Sequence, residues 1–163
     1  MSVRDEAALV RQLKRHQVPH VVIGGWAVIA HGYIRTTQDI DVLVPDTADV
    51  HQRAARALSE INARTLRGER LTPASVVPEQ GWQLTTAHGR IDVILEGVPP
   101  LDFQSVVDTA IEANLAGESV LIADLAHLAA FKRLAGRLQD KADLAELERM
   151  HGPLPILPVP GLD

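Results

Sequence analysis

The sequence predicts an α/β fold of the α+β kind, a small mixed twisted sheet flanked by helices. Three observations carry this. Residues 21–44, VVIGGWAVIAHGYIRTTQDIDVLV, read as strand, Gly-Gly turn, short helix, turn and second strand. Gly81–Ala87 and Arg90–Glu96 read as two more strands, joined at His88-Gly89 as a hairpin. Around these lie segments with apolar residues at helical spacing, at 4–16, His51–Glu60 and Asp124–Gly136, with a further helix at Gln139–Met150.

The bulk properties bound the answer. With 163 residues the chain makes one domain with a real core and little more. We place that domain at residues 1–152, followed by a Pro-rich tail at 153–163. Aromatics are only 3% of residues, so the core must come from Leu, Ile, Val and Ala. There is no Cys, which excludes disulfides and thiolate metal sites and permits a reducing compartment. No apolar stretch approaches transmembrane length, and MSVRDEAALV lacks a signal-peptide apolar region, so the expected location is cytoplasmic, with no membrane partner. The net charge of −5 disfavours a generally nucleic-acid-coating surface, although His51, Arg53, Arg56, Arg64, Arg67 and Arg70 form a local basic stretch.

Taken in order, RDEAALVRQLKRH places Ala8, Leu9 and Leu13 at helical spacing with Val10 beside them, and Pro19 ends that helix. Pro19 also separates His16 from His20, so the pair reads as surface or turn residues. Val21–Ile23 is a β-branched strand. Trp26–Gly32 has helical composition. Gln38–Val44 alternates, with Ile40, Val42 and Val44 on the core face. Pro45-Asp46-Thr47 is a turn with an N-cap, and the next helix turns Val50, Ala54, Ala57 and Leu58 inward. Ile61–Leu66 reads as a strand, and Arg67–Gln80, with Gly68, Pro73 and Pro78, as a loop. Residues 102–115 are predicted helical and Ser119–Ile122 a short strand. Leu125, Leu128, Ala129 and Leu134 are expected to face inward. The tail, with its prolines, is expected to lie extended.

The chemistry concentrates at 24–44. Gly24-Gly25 has no Cβ to keep a ligand away, and the free N–H groups at the start of the following helix offer an anion site, most often for phosphate. Asp39 and Asp41 share the face opposite Ile40 and Val42, with Cα atoms about 6.6–6.8 Å apart. Two carboxylates so placed suit Mg²⁺ or Mn²⁺. In RIDVILE, Asp92 stands in an apolar strand, which is costly unless it is paired or bound to metal. It is expected beside Asp39 and Asp41 as a third carboxylate. A phosphate cradle next to such a site points to phosphoryl or nucleotidyl transfer.

GGWAVIAHG followed by RTTQDIDV resembles the polymerase β-like nucleotidyltransferase superfamily. The pattern is similar to its small GG…R-x-[ST]-x-D-x-D branch, which holds type IV toxin nucleotidyltransferases of the abortive-infection kind, and to the antibiotic nucleotidyltransferases. The resemblance extends over residues 20–150 and is specific at 24–44. It implies metal-dependent transfer of a nucleoside monophosphate from an NTP such as ATP to a hydroxyl. Asp39 and Asp41 would bridge two ions, and Asp92 would bind the catalytic one. Gly24, Gly25, Arg35, Thr37 and Lys132 would meet the nucleotide. FKRLAGRLQDKADLAEL resembles the C-terminal helices of the toxin-like branch.

Each of these residues also has an ordinary reading. Arg35 pairs either with phosphate or with a structural carboxylate. Arg137, Asp140 and Asp143 form either part of the site or a salt-bridge network between the last two helices. His31 is expected to bond the backbone, and Trp26 to pack near the turn. The acceptor stays open among a tRNA 3′ end, a small-molecule hydroxyl such as a drug, and a protein hydroxyl. The toxin reading brings a cognate antitoxin with it. A non-catalytic nucleotide-binding or regulatory protein on the same fold is the rival class.

Overall fold

A computed structural model of the chain describes residues 4–161. Helix α1 (Glu6–Arg15) opens on Asp5, whose carboxylate accepts from the Ala8 N–H at 3.0 Å, and closes with Lys14 and Arg15 at the negative end of its dipole. Strand β1 (Val21–Ile23) is buried throughout. Helix α2 (Gly24–Ala30) begins at Gly24 itself, so Gly24-Gly25 is the helix's first turn and not a separate turn before Trp26. Strand β2 (Asp39–Val44) leads to α3 (Ala48–Ser59), capped by the Thr47 hydroxyl. The strand expected at 61–66 shrinks to β3 (Arg64–Thr65), and the following loop touches it again through Arg70. The hairpin of β4 (Trp82–Thr86) and β5 (Gly89–Leu95) is as expected.

The largest departure is at 102–115. Only α4 (Phe103–Asp108) is helical there; β6 (Ile111–Leu115) is a strand paired with β7 (Glu118–Ile122). The turn between them explains it. Ala116 and Gly117 both have positive φ, 50° and 97°, the conformation a two-residue hairpin turn requires, and Asn114 Oδ1 accepts from the Gly117 N–H at 2.8 Å. Helix α5 (Leu125–Ala135) runs from its Asp124 cap to Gly136, and α6 (Leu138–His151) follows. Residues 154–159 form no regular element, and Leu154 and Val159 are buried against the domain.

The seven strands form one mixed sheet in the order β3-β4-β5-β2-β1-β7-β6, with β2–β5 and β1–β7 parallel and the other pairs antiparallel. One face carries Ile40, Val42, Val44, Leu84, Ile91 and Val93 and forms the main core with Leu9 and Leu13 of α1 and Ala54 and Leu58 of α3. The second face carries Val21, Ile23, Leu43 and Ile94 beneath Val106 of α4 and Phe131 of α5. Side chains alternate along a strand, so Asp39 and Asp41 continue the Leu43 row and Asp92 the Ile94 row on this second face. Among the described residues, no helix is long and apolar enough to cross a membrane.

Candidate active site

Parallel pairing of β2 with β5 sets Asp41 opposite Asp92 and Asp39 opposite Arg90. Directly paired residues share a face. The three acids therefore share one face of the sheet, as the alternation of the two strands requires. Burial, followed by the charge of Asp92, pushes the Asp41 carboxyl up to about 7. Burial, followed by the charge of Asp39, pushes Asp92 up as well. Two strands that each half-bury an acid on the same row bear a cost that an uncharged pair would avoid.

Arg90 lies outside the set selected from sequence. Its signal was the R-x-D spacing, which puts it on the face of Asp92. Its Nε stands 3.2 Å from Asp39 Oδ1, yet off line for a hydrogen bond: both atoms are buried without a hydrogen-bond partner. Asp92 Oδ1 is likewise buried and unpartnered. An all-oxygen, negatively charged donor set with orphaned carboxylate oxygens fits a hard divalent cation. Among the described residues, no three His, Asp or Glu side chains already converge in a metal-holding arrangement. Asp39 lies toward Arg90, 3.2 Å from its Nε, and away from a shared point with Asp41 and Asp92.

The two glycines also let the site's own side chains come close. A Cβ on Gly24, whose φ is +69°, would stand 1.9 Å from Asp41 Oδ2. A Cβ on Gly25 would stand 2.6 Å from Thr37 Oγ1 and 3.1 Å from an Arg35 Nη. The space the glycines leave open is thus filled by the site's own side chains. No side chain caps the start of α2.

Opposite the acids stands a chain of alternating charge. Arg35 grips Asp143 with two hydrogen bonds, Nε to Oδ1 at 2.8 Å and Nη2 to Oδ2 at 2.9 Å. Lys132 Nζ lies 2.9 Å from both Asp143 Oδ2 and Asp140 Oδ1. Arg137 Nε reaches Asp140 Oδ2 at 2.7 Å. Both carboxylates are fully buried. Burial alone would raise Asp140, but hydrogen bonds from Arg137 and Lys132 overcome it and hold the carboxyl at about 2. Asp143 is likewise raised by burial and lowered on balance by Arg35 and Lys132. These residues form the salt-bridge network of the second reading, and Arg137 and Asp140 also line the clefts beside the acids. Arg35, Thr37 and Lys132 stand beside the acids, and Arg35 has a carboxylate as its partner.

Two clefts meet here. A polar one of about 350 Å³ is lined by Gly25, Arg35 to Asp39, Asp92 and Gln139. An apolar one of about 220 Å³ is lined by Ile23, Gly24, Ile94, Leu128, Phe131 and Leu134. Asp41, Lys132 and Arg137 line both. Leu134, expected in the core, is 54% exposed over the apolar cleft because the last turn of α5 runs past the edge of the main core. Away from the site, His31 Nε2 bonds the Ala123 carbonyl at 2.8 Å, Trp26 packs half-buried on the core, and His16 pairs with Glu60, all in structural roles.

Several solved structures share this architecture. The crystal structure of ANT(2″)-Ia in complex with adenylyl-2″-tobramycin superposes with a TM-score of 0.59 at 13% identity, covering 89% of this chain and 88% of that one. The solution structure of the antibiotic-resistance factor ANT(2″)-Ia gives 0.60 at 13% identity, over 89% and 83%. An antigenic nucleotidyltransferase-like protein from Paracoccidioides brasiliensis gives 0.58 at 15% identity, over 92% and 78%. No protein-family model and no curated protein matches the sequence. The chain has a nucleotidyltransferase fold.

Proposed function

We propose that the protein is a metal-dependent nucleotidyltransferase that moves a nucleoside monophosphate from an NTP to an acceptor hydroxyl and releases pyrophosphate. The observation that carries this is the register of Asp41 against Asp92, with Asp39 two residues before, on the face that meets both clefts. Asp39, Asp41 and Asp92 would hold Mg²⁺ or Mn²⁺, which supplies Lewis-acid stabilisation of the phosphoryl oxygens when bound. The acceptor oxygen attacks the α-phosphorus, the bond to the β-phosphate oxygen breaks, and pyrophosphate leaves. The acceptor's proton would go to Asp92, which lines the polar cleft and whose Oδ1 has no hydrogen-bond partner. The start of α2 at Gly24 and Gly25, with Thr37, would bind the triphosphate. Three cations, Arg35, Lys132 and Arg137, stand against two carboxylates, Asp140 and Asp143, and leave one positive charge facing the polyphosphate.

A second reading, a non-catalytic nucleotide-binding protein on the same fold, draws on Asp39 being held toward Arg90. One experiment separates the two. The protein is incubated with each α-labelled NTP, Mg²⁺ or Mn²⁺, and total tRNA, protein or small hydroxyl compounds. Metal-dependent label transfer that disappears in Asp41→Asn supports the enzyme and names its acceptor. NTP binding with no transfer to any acceptor supports the binding protein. Transfer to tRNA would make a toxin with an antitoxin partner the reading to pursue, and transfer to a drug hydroxyl a resistance enzyme.

A further inference from the structure

The sheet register lays out a second feature beside the acids. Asp39 pairs with Arg90, Arg90 with Thr85, Thr85 with Arg64, and Arg64 bridges to Arg70. Paired residues share a face, so these five form one row on the face of the acids. Adjacent strands are 4.7–4.9 Å apart, so the row runs about 14 Å from the β2 backbone at Asp39 to the β3 backbone at Arg64. The next row joins Asp41, Asp92 and Gln83. On β4, Trp82, Leu84 and Thr86 turn into the protein while Gln83 and Thr85 are exposed, so this part of the face is open. Arg64 and Arg70 are exposed too, and Arg64 gives Nη1 to the Gly68 carbonyl at 3.1 Å, which leaves its charge unneutralised. Residues 64–70 carry three arginines against the single acid Glu69.

We infer that the acceptor is a nucleic-acid end, whose phosphates lie along Arg90, Arg64 and Arg70 while its terminal hydroxyl reaches Asp92. This rests on the proposed nucleotidyltransferase function and adds the acceptor's class. A protein of net charge −5 that gathers arginines on an open strand face beside its acids places its positive charge where a polyanion would lead to the site. Arginine suits phosphate through its two-pronged hydrogen bonding. A polycationic small molecule would meet like charge along the same row.

The test is fluorescence anisotropy of a labelled twelve-nucleotide single strand, as RNA and as DNA, over a salt series, with calorimetric NTP–Mg²⁺ binding measured on the same preparations. The expected result is binding that weakens with salt, at about 0.7 log units per log unit of salt for each phosphate contact. Arg64→Glu with Arg70→Glu should weaken it at least tenfold and flatten the slope, leaving NTP binding unchanged. Arg56→Glu, on α3 behind the sheet, should change neither. Thr85→Arg adds a charge at an exposed position in the row and should tighten binding and steepen the slope. If the wild type binds NTP but neither strand, or if Arg56→Glu costs as much as the Arg64 and Arg70 pair, or if Thr85→Arg has no effect, the inference is overturned and the nucleotidyltransferase reading stands. If NTP binding itself is absent, both fall.

Discussion

Asp41 and Asp92 face each other across two parallel strands, 51 positions apart in the chain and directly paired in the sheet. Among the described residues neither has a basic partner within hydrogen-bonding distance, and burial with neighbouring acid charge raises the proton affinity of both. The acidic pair costs stability, and removing half of it has a signature that a structural acid would not give. Asp41→Asn is expected to lower transfer at least a thousand-fold, about 4 kcal/mol of barrier. It is also expected to raise metal-free stability at pH 8 by about 2 kcal/mol. Chemical denaturation beside the transfer assay checks both.

The pH dependence follows from the same pair. The Asp41 carboxyl sits at about 7 folded against 3.8 unfolded. Between those values the folded state holds more protons, so stability falls as pH rises. Metal-free denaturation is expected to show this loss between about pH 4 and 7 in the wild type and to lose most of it in Asp41→Asn. The opposite slope in that window would reject the assignment.

Divalent cation binding should oppose this trend. Mg²⁺ or Mn²⁺ needs the ionised carboxylates, so its thermal stabilisation should be larger at pH 8 than at pH 6. At a hundredfold excess over its dissociation constant it amounts to about 2.7 kcal/mol. Chelator reverses it, and Asp92→Asn should remove most of it. Differential scanning fluorimetry across the two pH values is sufficient.

Gly24→Ala tests the close approach of helix and strand. The new Cβ would meet Asp41 Oδ2 at 1.9 Å, at a φ of +69° that alanine adopts with strain. A loss of about 2 kcal/mol is expected, with metal binding lost even where the variant is folded. Gly117→Ala, at a positive φ but with open space around it, should cost stability and leave metal binding intact.

The charge chain that links Arg35, α5 and α6 is expected to behave as one unit. Asp143→Ala removes the partner of both Arg35 and Lys132 and leaves charge buried, at a cost of about 3–5 kcal/mol. A double-mutant cycle with Arg35→Ala should show coupling above about 0.5 kcal/mol. Strict additivity in urea unfolding would mean that the pair is not formed.

Much of this was legible in the chain. Alternation in DIDVLV and RIDVIL put the acids on one face and the branched residues on the other before any pairing was known, because the period of a strand is fixed. Pro45-Asp46-Thr47 marked a helix start by its cap chemistry, and apolar spacing bounded the helix at Asp124–Gly136. What escaped was non-local or competing. Arg35 and Asp143 are 108 residues apart, and nothing in either segment names the other. Residues 111–115 have a composition as compatible with helix as with strand; the Ala116-Gly117 turn and pairing with β7 decide it. Gly24-Gly25 was read as an approach for a ligand; that Asp41 and Thr37 also press against these glycines depends on non-local packing.

The most direct measurement is a Mn²⁺ titration followed by electron paramagnetic resonance, with and without a non-hydrolysable NTP analogue. For the wild type, Mn²⁺ should leave the free signal in the presence of the analogue, and Asp41→Asn and Asp92→Asn should each abolish that uptake. Equal uptake by wild type and both variants would contradict the three-acid site.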